Sequence, residues 1–71
     1  MSINRESGMN QKFIIKFEQG NLEQSYKIAE MDIIGGVNGV FDLLDEEFMK
    51  SVIDQFALMR QSFNSAYSRY E

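Results

Sequence analysis

At 71 residues, with 44% hydrophobic and 13% aromatic side chains, the chain is too apolar for disorder and has room for one small domain. It has neither cysteine nor histidine, which excludes disulfides, thiolate metal sites, and the commonest zinc ligand and general base. The net charge of −4 is concentrated centrally: no basic residue occurs from Ile28 to Met49, and so acidic a stretch disfavours direct nucleic-acid binding.

The opening "MSINRESG" is polar and lacks the apolar core of a signal peptide. Residues 1–8 are expected to form a flexible tail, with a single ordered domain over 9–71. No apolar run approaches the roughly 20 residues of a membrane span, so a cytoplasmic protein without membrane contact is expected.

"KFIIKFE" (12–18) alternates Phe13, Ile15 and Phe17 with Lys12, Ile14 and Lys16, the period of a half-buried strand. "LEQSYKI" (22–28) places Leu22, Tyr26 and Ile28 on one side. Gly20-Asn21 between them suits a two-residue turn with glycine first. A hairpin over about 12–28 then sets Phe17 opposite Gln24, Ile15 opposite Tyr26 and Phe13 opposite Ile28. A helix capped by Asn21 competes for 21–31, because Leu22, Tyr26, Ala29 and Ile33 also recur at helical spacing.

Three glycines follow within five positions of "IIGGVNGVFDLLDEEF" (33–48). Backbone N–H groups freed by glycine can converge on an anion. Here Val40 follows Gly39 and no Lys-Ser/Thr pair comes next, so neither a dinucleotide fingerprint nor a Walker loop is present. The favoured reading is a tight joint in which Gly35, Gly36 and Gly39 supply positive φ or close backbone approach. Asp42, Asp45 and Glu46, spaced i, i+3 and i+4, have the positions of an acid/base or cation-binding set. An N-cap followed by an acidic first turn accounts for them without a cofactor or metal.

Between Asp45 and Tyr70 there is no glycine or proline, and a long amphipathic helix is predicted over about 45–70. Asp45 is the expected N-cap, with Leu44 and Met49 placed for a hydrophobic staple. Such a helix is about 37 Å long, more than one hairpin covers. A heptad seam runs along it: Met49, Phe56, Phe63 and Tyr70 at a, with Val52, Met59 and Ala66 at d. Tyr67 flanks this seam. The stripe either lies on the protein's own sheet or packs, in part, against a second chain, and the helix length favours the second.

The expected fold is therefore α+β: a β-hairpin, a glycine-rich joint, and a long helix through which the chain dimerises. No catalytic motif occurs, and no enzyme is expected. The expected function is a small acidic protein–protein interaction module, a regulator or inhibitor that binds a macromolecular partner as a homodimer. Two surfaces are available to it. One is acidic: Glu30, Asp32, Asp42, Asp45, Glu46 and Glu47. The other is the helix face of Met49, Val52, Phe56, Met59, Phe63, Tyr67 and Tyr70. An assembly subunit of a larger particle, and a small-ligand or anion binder using the glycine joint, are the competing classes.

Overall fold

In the computed structural model, which describes residues 1–71, the alternating segments become β2 (Lys12–Gln19) and β3 (Leu22–Ala29), preceded by a further strand, β1 (Ser2–Glu6). A 3₁₀ turn at Glu30–Asp32 leads into α1 (Val37–Leu43) and then α2 (Glu46–Tyr70). The strands form one antiparallel sheet in the order β1-β2-β3, and the fold is α+β.

The hairpin has the register its apolar pattern predicts: Phe13 opposes Ile28, Ile15 opposes Tyr26 and Phe17 opposes Gln24. Gly20 opens the turn with φ 61°. The competing helix over 21–31 does not form. Pairing along the whole of β2 outweighs the helix preference of Glu23, Gln24 and Lys27, since a strand here can share a buried face with its neighbour.

The flexible tail expected at 1–8 requires correction. Ser2–Glu6 pairs with β2, setting Ile3 against Ile15 and Arg5 against Phe13. Only Ile3 is apolar in "SINRE", so the segment has no alternation to read. The free edge of β2 recruits it, because an unpaired row of N–H and C=O groups is a template for another strand. Arg5 secures it, its Nη2 donating to Gln11 Oε1 at 3.1 Å and to Glu30 Oε1 at 2.6 Å.

The glycine joint also contains more structure than a connection. Gly35 and Gly36 have φ of 87° and 60°, and Gly36 caps the short helix α1. Gly39 serves a different purpose. A Cβ at this position would collide with the Ile34 carbonyl oxygen and lie 2.8 Å from Ile33 Cγ1. That close approach seats Val40, which is fully buried.

Helix α2 begins where the sequence places it. The Asp45 carboxylate accepts from the Phe48 N–H at 2.8 Å, and Glu46 and Glu47 occupy the first turn. Leu44 and Met49, the staple positions, both pack against the core. The helix lies on one face of the sheet, and Phe13, Ile15, Phe17, Val40, Val52 and Phe56 are buried between the layers.

Candidate functional site

The apolar stripe of α2 divides into two parts. Val52 and Phe56 are buried, and Phe48, Met49 and Met59 pack around them against the sheet. The Arg60 guanidinium donates to Gln19 Oε1 at the end of the hairpin. Beyond that contact every residue from Gln61 to Glu71 is exposed. Of the seven residues expected on the partner face, Val52 and Phe56 are buried in the protein's own core, and Met49 and Met59 are partly buried against it. Phe63, Tyr67 and Tyr70 remain outside it, at 52%, 53% and 85% exposure. They extend the same stripe along the last ten residues of α2, about 15 Å of helix. The Tyr67 and Tyr70 rings lie 6.1 Å apart, inclined at 38°.

This overhang changes the dimensions of the molecule. The radius of gyration is 15.1 Å, against about 11 Å for a compact chain of this length. The accessible surface is 5610 Å², about 1,000 Å² more than a compact monomer of 8.3 kDa exposes.

A groove of about 540 Å³ opens beside the first turns of α2. Tyr26 and Ile28 of β3 line it together with Leu43 and Phe48, and Asp45, Glu47 and Lys27 supply its charges. Two of its lining residues, Tyr26 and Phe48, form an aromatic triad with Phe17. Phe17 and Phe48 each meet Tyr26 edge to face, at 6.2 and 5.3 Å, and meet one another at 6.1 Å. Bonded to Tyr26 is Gln24, the one buried polar residue. Its Nε2 donates to the Val52 carbonyl at 2.9 Å, and its Oε1 accepts from the Tyr26 hydroxyl at 2.6 Å. The sequence carried a signal for this group, a glutamine on the apolar face of a strand opposite Phe17, but not its partners.

The acidic residues are differently employed. Glu30 is half-buried and ion-paired with Arg5, and Asp45 caps α2. Asp32, Asp42, Glu46 and Glu47 are exposed. Nowhere do three acidic side chains gather closely enough to hold a metal ion.

No protein-family model matches the chain, and neither a curated protein nor a solved structure matches it. No helix is long and apolar enough to cross a membrane.

Proposed function

We propose that this protein is a non-catalytic interaction module that acts as a homodimer, with the exposed end of α2 as its association surface and a macromolecular partner as its target. The observation that carries this reading is the overhang: ten helical residues that leave the sheet while still bearing Phe63, Tyr67 and Tyr70. Aromatic residues are the type enriched where interfaces bury most energy. The small core points the same way. Seven residues of 71 are buried, and with no cysteine the chain has no disulfide to reinforce it. Association is the remaining means of stabilising so small a scaffold. The surface in excess of a compact monomer is close to the roughly 800 Å² each partner buries in a standard interface.

The regulator or inhibitor role rests on the exposed acidic side chains Asp32, Asp42, Glu46 and Glu47, which suit a basic target surface. Light scattering over a concentration series tests self-association. Twice the 8.3 kDa chain mass is expected for the wild type and the single mass for Phe63→Asp, with unchanged helical circular dichroism. A wild-type mass of one chain throughout overturns the dimer, and open-ended growth favours the assembly-subunit reading.

A further inference from the structure

We infer that the two copies pack antiparallel, each laying its exposed helix end over the groove beside β3 of the other. This rests on the dimer reading above and assigns the occupant of the groove. Three observations lead to it.

The first is charge. Along α2 the first half carries Glu46, Glu47 and Asp54 against the single base Lys50, whereas the second half carries only the bases Arg60 and Arg69. Parallel packing sets like charges side by side. Antiparallel packing sets Arg69 beside Glu46 and Glu47, and brings the negative end of one helix dipole to the positive end of the other.

The second is the flank that α2 turns toward the groove. Glu47 and Ser51 line the groove. At 3.6 residues per turn, Leu58, Ser62 and Arg69 continue along the same side. Glu47 and Arg69 stand eleven residues on either side of Leu58. A twofold axis at Leu58 therefore pairs Glu47 with Arg69 twice. It also accounts for Leu58, an exposed leucine on the otherwise polar side of the helix. Ser51 and Ser62 are small enough for the two helices to approach closely.

The third is the fit of the guest. In this arrangement residues 63–70 of one copy lie beside residues 46–53 of the other, alongside the groove. Phe63, Tyr67 and Tyr70 are on the sheet-facing side of the helix, so they are directed into the space lined by Tyr26, Ile28, Leu43 and Phe48. The groove, about 540 Å³ and open to solvent, offers these four residues as apolar contacts. The two Arg69 guanidiniums meet Glu47, and Asp45 lies close by.

The absence of native cysteine makes cross-linking a clean test. Glu47→Cys and Arg69→Cys are prepared separately, then refolded alone or together under mild oxidation. The expected result is a disulfide dimer that requires both variants, with little from either alone. Disulfide dimers from each variant alone indicate parallel packing and overturn the inference. So does a mixture that light scattering shows to be dimeric but that does not cross-link, while the dimer reading stands. A monomeric wild type removes both. As a second measurement, Glu47→Arg should weaken association about tenfold and Glu47→Arg with Arg69→Glu should restore it. Weakening by the single change without recovery in the double counts against the pairing.

Discussion

The side-chain amide of Gln24 and the main-chain carbonyl of Val52 join the two layers of this protein by a buried hydrogen bond of 2.9 Å. The Tyr26 hydroxyl occupies the other end of the same amide, so strand, helix and aromatic triad share one polar link. A buried polar group of this kind is tolerated only because its donor and its acceptor are both used.

Tyr26→Phe keeps the ring and removes the donor to Gln24 Oε1. It should destabilise the protein by about 1 kcal/mol in urea titrations, as a buried acceptor is left unpaired. Gln24→Ala, which also empties space next to Phe17, should cost more, about 2 kcal/mol. In a double-mutant cycle the two costs should fall short of additive. Strict additivity would show that the link is not shared.

Gly39→Ala sets helix propensity against packing. Within a helix, alanine is favoured over glycine by about 1 kcal/mol. The Cβ would nevertheless collide with the Ile34 carbonyl, which is backbone and cannot rotate away. Net destabilisation of about 1–3 kcal/mol is expected. A rise in melting temperature would contradict the close approach of α1 to the joint.

Asp45→Ala removes the acceptor for the Phe48 N–H and should cost about 1 kcal/mol. Asp45→Asn, which still accepts that hydrogen bond, should recover most of the loss. Equal losses in the two variants would mean that charge at the helix start, not the cap itself, matters there.

Arg5→Ala removes the contacts from β1 to Gln11 and Glu30. Because the ion pair is partly exposed, global stability should change by less than about 1 kcal/mol. The effect should be local instead: faster amide hydrogen exchange across Ser2–Glu6, with the β2–β3 hairpin unaltered. Uniform acceleration through the sheet would place β1 within the cooperative core.

If the overhang is an interface, the wild-type melting temperature should rise with protein concentration, since association stabilises only the folded state. Phe63→Asp should abolish that dependence and leave the dilute-limit stability unchanged, because Phe63 touches none of the protein's own core. Loss of stability at the lowest concentrations would place Phe63 in the monomer fold.

The hairpin and the start of α2 were legible in the sequence because local physics determines them. Alternation aligns Phe13, Ile15 and Phe17 on one face, Gly20 permits the turn, and Asp45 satisfies an otherwise free N–H. Three features required the tertiary structure. The pairing of β1 depends on the vacant edge of β2 and on contacts of Ile3 and Arg5 that no alternation in "SINRE" announces. Val40 owes its burial to a backbone approach at Gly39 that no pattern of apolar residues encodes. The division of the α2 stripe depends on where the sheet ends: Met49 to Met59 lie over it, and Phe63, Tyr67 and Tyr70 lie beyond it. Periodicity fixes which side of a helix is apolar. Only the extent of the facing layer decides how much of that side is covered.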